Sequence, residues 1–443
     1  MRSPAPSGER RRKVVVLVNN PFVTDARSWK MASTLAAAGY RVTVVARDEA
    51  DAPPTMKGQP FEILRVAQPT PFARLPRARL PDAGPGIEPT PAGGSRFGRA
   101  LLKRPRDLVR STIGRALQSA RYLRLTSQWA RDIALVAPHA DVWQAEEMVT
   151  LPLALALRRR LGGVVVYDSH DLDVHSARFA RLPRPWRILL GRAERRWARS
   201  ADALISANAG YAGVLERAWG RRPTVIWNGA PHFDPADPPE RLWHDRLHLP
   251  AHLKVVLYLG LVMPGRGVSQ LCQAMALVPD AVLVVAGFGD DYERYRADAA
   301  ALPHADRIRF VGGVPHGEIM PLVASSDVSA MPVQGDTLNH RLNVPTKLFD
   351  AMAAGVPVVA SDLPGMAPIV RQSGCGELCD PDDPVDIARA IRGILEASPE
   401  RRAAYREACL RAARGAYGWE RQASTLRALY ARLPMSGATC NDV

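Results

Sequence analysis

Two segments of the 443-residue chain concentrate residue types able to do chemistry. The first is Asn343 to Ser361, NVPTKLFDAMAAGVPVVAS. Asn343 reads as a helix N-cap, with Pro345 and Thr346 at permitted early helical positions and Gly355 closing the helix before an apolar strand. The free backbone N–H groups and positive dipole end of such a start attract an anion, and Lys347 in the first turn adds a cation suited to phosphate. Asp350, three residues on, shares that face and is placed to accept hydrogen bonds from a ribose diol. The same residues also fit a capped helix with a surface Lys–Asp pair. The second segment, Val164 to Asp173 (VVVYDSHDLD), reads as a buried strand ending in polar residues. His170 at that end orients a hydroxyl or stabilises developing charge through its neighbours, unless it serves packing alone.

These residues need a frame that aims them into one space. Lys13–Asn20 (KVVVLVNN) reads as a strand buried on both faces, followed by a helix over Asp25–Ala38, a stop at Gly39 and a strand over Arg41–Ala46. Further strands are expected at 61–66, 141–144, 164–168, 203–206 and 224–227, with helices at 149–160 and 185–199. A second series begins at Lys254–Gly260 and continues near 281–286, 307–311, 327–331 and 356–361. Alternating strand and helix predicts an α/β architecture of two doubly wound, Rossmann-like domains facing across a cleft. The expected divisions are 1–235, 236–415 and a C-terminal amphipathic helix within 416–443 that crosses back to the first domain. Ligands of such sheets bind outside the carboxyl ends of the strands, which is where both segments fall.

The loops at those ends extend the pattern. Gly260-Leu261 through Arg266-Gly267 follows the first strand of the second series. Gly287-Phe288-Gly289 follows the next, and Phe310-Val311-Gly312-Gly313-Val314-Pro315 the one after. Together with 343–361 they resemble the retaining family-4 glycosyltransferases of the GT-B fold, and the resemblance extends over most of the chain. It implies a nucleoside-diphosphate sugar as donor and no cofactor or metal. It implies Arg266 and Lys347 on the diphosphate, Asp350 on the ribose, backbone around Val314 beside the base, and Gly260, Gly287, Gly289, Asn343, Pro345 and Thr346 shaping the donor site. Leu342 stands where the family carries a first glutamate and Leu261 where it carries an arginine. Arg266 replaces a lysine and preserves phosphate chemistry; alternatively it is a solvated loop charge.

In the first domain the loop Asn20 to Arg27 resembles a subgroup with Asp-x-Arg here, implying that Arg27 faces the donor diphosphate; its other reading is a pair with Asp25. The family's Tyr-Asp-x-His places His170 near donor sugar and acceptor, so His170, Arg266 and Lys347 are the expected catalytic groups. Asp171 and Asp173 have the spacing of a metal-binding pair but lie in the acceptor half, and no metal is assigned. Gln144-Ala145-Glu146-Glu147 departs from a His-x-His-Asp stretch of relatives. The implied chemistry is front-face transfer with retention, the departing diphosphate taking the acceptor's proton.

Charge narrows the acceptor. Lys plus Arg is 59 against 44 Asp plus Glu, giving +15 and a pI of about 10.1. The residues up to 235 hold 38 basic and 20 acidic groups, net +18, and the rest 21 and 24, net −3. A uniformly basic nucleic-acid binder does not usually split this way, so nucleic acid is an unlikely partner. Fourteen basic and three acidic residues lie between Arg65 and Arg131, around a Pro/Gly-rich stretch expected to be disordered. This insertion suits an anionic membrane surface, and the acceptor is expected to be lipid-linked, an envelope polysaccharide or a small molecule. Five cysteines without CxxC spacing fit neither a disulfide framework nor a zinc site and point to a reducing cytoplasm. No apolar run reaches about 18 residues, so the protein is expected to be soluble or peripheral on the inner face of the membrane. Two other classes fit the same sequence: a nucleotide-sugar epimerase of this fold, and a non-enzymatic basic surface-binding protein.

Overall fold

The computed structural model describes residues 11–23, 25–48, 59–67, 125–176, 179, 182–236 and 240–434. Valine-rich runs build two wholly parallel sheets covered by helices on both faces, the setting in which strands read as continuous apolar stretches. The first sheet contains β1 (Lys13–Leu17), β2 (Arg41–Arg47), β3 (Glu62–Val66), β4 (Val142–Glu146), β5 (Val164–Ser169), β6 (Ala203–Ser206) and β7 (Thr224–Val225), in the order β3-β2-β1-β4-β5-β6-β7. The second contains β8 (Lys254–Leu259), β9 (Ala281–Ala286), β10 (Ile308–Gly312), β11 (Val328–Met331), β12 (Val358–Ser361) and β13 (Gly376–Cys379), in the order β10-β9-β8-β11-β12-β13. Strand order reverses between β1 and β4 and between β8 and β11, and the crevice at such a switch point is the natural ligand site. The loops after β1, β4, β5 and β8 all emerge there.

Three local differences from the sequence reading have physical causes. The cap expected at Asn343 is corrected to Pro345, which caps the helix Thr346–Ala353 at φ −67°, ψ 143°, while Asn343 ends the short helix Leu338–Leu342. Proline disfavours helical backbone in the residue before it, so a helix does not begin at Val344 and Asn343 is not its cap. The strand expected over 224–227 stops at Val225. Trp227 leaves the sheet to meet Phe349 and Tyr417 edge-on, with ring centroids 6.1 and 5.5 Å away. β13 was not foreseen, because four residues (GELC) carry no readable periodicity.

The chain passes between the sheets twice. The crossings lie side by side: Trp419 N donates to Ala230 O at 2.9 Å, and Gly229 presses against the Tyr417 carbonyl where no Cβ fits. The helix Trp419–Ala431 then lies on the helix Ala26–Ala37. There Trp419 Nε1 donates to Thr34 Oγ1 at 3.0 Å and the buried Tyr430 meets Tyr40 edge-on. Most of the basic insertion, 68–124, lies outside the described residues; after it, a helix over 125–136 packs Trp129 and Ile133 into the core of the first sheet. Among the described residues no helix is long and apolar enough to cross a membrane.

Candidate active site

The helix Thr346–Ala353 starts at the cleft without a side-chain cap, so its first N–H groups remain available. Lys347 Nζ lies 5.0 Å from the ring centroid of Tyr258 on β8. Burial, and next the Arg266 charge, pull the Lys347 amine down to about 7 against the opposing pull of Asp350. Arg266 Nε is buried with no hydrogen-bond partner. Among the described residues, neither cation forms a salt bridge. Two like charges held together unpaired are unfavourable until an anion joins them. Burial likewise pushes the Asp350 carboxyl up to about 6, with Lys30 and Lys347 drawing it back.

Gly260, at φ +131°, lets this happen: a Cβ there would collide with Lys347 Nζ. Gly287 has no room for a Cβ against the Gly260 carbonyl, nor Gly289 against that of Val262, so the loops after β8 and β9 stack backbone on backbone. Thr346 Oγ1 accepts from Asn228 Nδ2 at 2.7 Å, tying the helix start to the first crossing. Val314 is half-buried after β10 and packs on the second-domain core. Leu342, in the place of a family glutamate, lies against Gly210 and the first-domain core.

Across the cleft one assignment is corrected. Arg27 neither faces the donor site nor pairs with Asp25. Its Nε and Nη2 donate to the two oxygens of Asp168 at 2.8 and 3.0 Å, and Nη1 donates to Ile226 O at 2.9 Å. With both residues almost inaccessible (4% and 0%), the guanidinium is committed to this pair inside the domain. Asp25 instead caps the helix, accepting from Ser28 N.

His170 lies between two carboxylates, Nδ1 3.5 Å from Glu146 and Nε2 3.4 Å from Glu147. Burial favours its neutral form, but the Glu146 and Glu147 partners outweigh burial and hold the imidazole well above its usual pKa. Burial, then Asp168, pushes the Glu146 carboxyl up. Glu147 opens its helix at φ +65°, a conformation costing a non-glycine residue about 1–3 kcal/mol, and so turns its carboxylate to the imidazole. Glu146, Asp168 and His170 bring ligand-type atoms within 4.8 Å of one another. Within this set both Asp168 oxygens accept from Arg27. Asp171 and Asp173 diverge: Asp171 Oδ1 accepts from Asn339 Nδ2 at 3.1 Å, and Asp173 Oδ2 from Met148 N at 3.0 Å.

Sequence reasoning missed Asn339. Its Oδ1 accepts from Leu172 N at 2.8 Å and its carbonyl from the Tyr211 hydroxyl at 3.0 Å, so it joins the second domain to the His170 loop. A lone Asn in a short helix carries no sequence signal. Glu147 was visible only as a departure from the relatives' pattern.

Two parallel sheets and a cation-bearing helix start between them are the arrangement that the comparisons with known proteins now place. The profile described as "Glycosyl transferases group 1" matches residues 240–411. A D-inositol 3-phosphate glycosyltransferase from Catenulispora acidiphila is 28% identical over 317 residues, covering 66% of this chain and 70% of its own length. A phosphatidyl-myo-inositol mannosyltransferase from Mycobacterium leprae is 32% identical over 191 residues, 42% and 48% of the two chains. Among solved structures, sucrose-phosphate synthase from Thermosynechococcus elongatus has a TM-score of 0.70 at 19% identity, covering 96% and 99% of the two chains. Anabaena HepE in complex with UDP-glucose has a TM-score of 0.68 at 16% identity, covering 95% and 99%. Residues 240–411 thus match the group 1 glycosyltransferases and the chain shares the GT-B fold of these solved structures, likenesses that support a nucleotide-sugar-dependent glycosyltransferase.

Proposed function

We propose that this enzyme transfers a sugar with retention of configuration and without a metal, from a nucleoside-diphosphate sugar to a hydroxyl on a polyol. The observation that carries the reading is the pair of unpartnered cations, Arg266 and Lys347, at an uncapped helix start. A diphosphate there satisfies both charges and the free N–H groups at once. The bond from the sugar's anomeric carbon to the diphosphate breaks, and the acceptor oxygen bonds that carbon from the same face. Its proton passes to the departing phosphate oxygen. Asp350 holds the ribose diol, backbone beside Val314 meets the base, and His170 with Glu147 orients the hydroxyls of sugar and acceptor. The relatives' names, inositol 3-phosphate and phosphatidylinositol, support a polyol that is free or lipid-linked; an envelope polysaccharide presents the same hydroxyl chemistry.

A nucleoside diphosphate at about 100 times its Kd stabilises the folded chain by about 2.7 kcal/mol. Thermal melts with each common nucleoside diphosphate read this directly, and no shift with any of them sinks the donor-site reading.

Donor binding is also pH-dependent, with a definite sign. Lys347 loses its proton near pH 7 in the free protein, and a diphosphate favours the ammonium, so binding takes up a proton. Affinity therefore falls as pH rises above 7, by up to roughly tenfold per pH unit. Calorimetry in buffers of different ionisation enthalpy measures that uptake; proton-neutral binding across this range removes Lys347 from the phosphate.

A further inference from the structure

We propose that the helix Arg184–Arg199 is a docking surface for an anionic lipid bilayer. Its sequence, RPWRILLGRAERRWAR, divides cleanly by face. Inward, Ala198 and Glu194 are buried, and Glu194 accepts a hydrogen bond from the Tyr167 hydroxyl at 3.2 Å. Outward stand Arg184, Arg192, Arg195, Arg196 and Arg199, all exposed, with Ile188 at 47% and Leu189 at 54% exposure.

The outer face is uncompensated. The helix's only acid points into the domain. Arg192/Arg196 and Arg195/Arg199 are like-charge pairs one turn apart, which repel. Among the described residues none of these five arginines forms a salt bridge; Arg199 Nε is bound to the Trp219 carbonyl. The surrounding stretch 181–222 has ten basic and three acidic residues, a second concentration of the first domain's charge apart from the insertion at 65–131. Such a face is relieved by a partner carrying many negative charges.

The two aliphatic side chains select the partner. Single exposed apolar residues are ordinary on a soluble surface, but an Ile–Leu pair set among arginines matches an interfacial helix: apolar groups enter the acyl boundary while guanidinium groups reach lipid phosphates. A nucleic acid would use the arginines and leave Ile188 and Leu189 in water. The position is also apt, because Gly191 packs against Val174 in the turn Asp173–His175 that follows His170. Docking thus brings the acceptor side of the cleft to the lipid. That last consequence rests on the proposed acceptor side; the docking itself does not.

The test is sedimentation of the full chain with vesicles of phosphatidylcholine alone or with about 30% phosphatidylglycerol, where each basic residue near an anionic surface adds binding. The wild type sediments with the anionic vesicles and not with the neutral ones. Arg192→Glu/Arg196→Glu weakens that binding at least tenfold, and Ile188→Ser/Leu189→Ser weakens it severalfold. In both variants the melting temperature and its shift with nucleoside diphosphate match wild type, which separates failure of docking from failure of the donor site. Wild-type vesicle binding by both variants overturns the proposal, as does a wild type that ignores anionic vesicles. Duplex DNA binding that needs the arginines, with vesicle binding untouched by the serine pair, overturns it in favour of nucleic acid.

Discussion

Lys347→Ala lowers turnover at least tenfold, and Arg266→Ala does the same. Each removes one charged hydrogen bond to the leaving diphosphate, worth about 1.5–3 kcal/mol, which corresponds to roughly one to two decades in rate. The loss falls mainly on kcat, because negative charge on the diphosphate grows as its bond to the sugar breaks and the cations are held in place beforehand. Folding stability does not fall in parallel. In the free protein the two cations repel each other, and removing either relieves the other, so melting temperatures stay level or rise. Arg266→Lys keeps the charge and recovers part of the rate, losing the two-pronged contact. Release of nucleoside diphosphate from a donor accepted by the wild type is the readout. Wild-type turnover in both alanine variants refutes the phosphate assignment.

The Arg27–Asp168 pair gives the opposite signature, a large loss of stability. Arg27 is 4% and Asp168 0% exposed, and the contact is bidentate. Removing one partner strands the other charge in the interior, at a cost of about 3–5 kcal/mol. Asp168→Asn and Arg27→Ala are therefore expected to lower the melting temperature by roughly 6–20 °C, taking about 2–4 °C per kcal/mol for a domain of this size. A joint replacement by apolar residues of similar volume, Arg27→Met/Asp168→Leu, recovers most of the loss, since no charge is left unpaired. Thermal and urea melts decide it. Single variants within about 0.5 kcal/mol of wild type, the range of a surface substitution, would show that the pair does not hold the domain.

The frame of both domains was readable because parallel strands buried on both faces produce long valine-rich runs. Val14 to Val18 and Ala281 to Ala286 need no long-range information to be recognised. The cation-bearing helix start was readable for a related reason: Pro345, Thr346, Lys347 and Asp350 lie within six residues at one helix start, so local geometry nearly settles where they go. Arg27 shows where local reading fails. Its true partner is 141 positions away, and nothing near it in sequence distinguishes Asp168 from Asp25. Glu147 and Asn339 fail for the same reason, since each takes its role from a loop in another strand–helix unit. Charge counting identified a basic first domain, but a tally along the chain cannot see that the arginines of 184–199 share one face.

The side-by-side chain crossings have a mechanical consequence. Gly229–Ala230 and Tyr417–Trp419, lying against each other, gather both connections between the domains onto one axis. Lys30 pins that axis to the first domain by donating to the Gly229 carbonyl at 2.6 Å and that of Asn228 at 3.2 Å. Asn228 in turn grips Thr346, and Trp227, Tyr417 and Phe349 wedge the axis against the helix Thr346–Ala353. Asn339 latches the loop of Asp171 and Leu172. The uncapped helix start is therefore tied to the line where both connections run, and Asn339 ties the two domains together a second time beside His170.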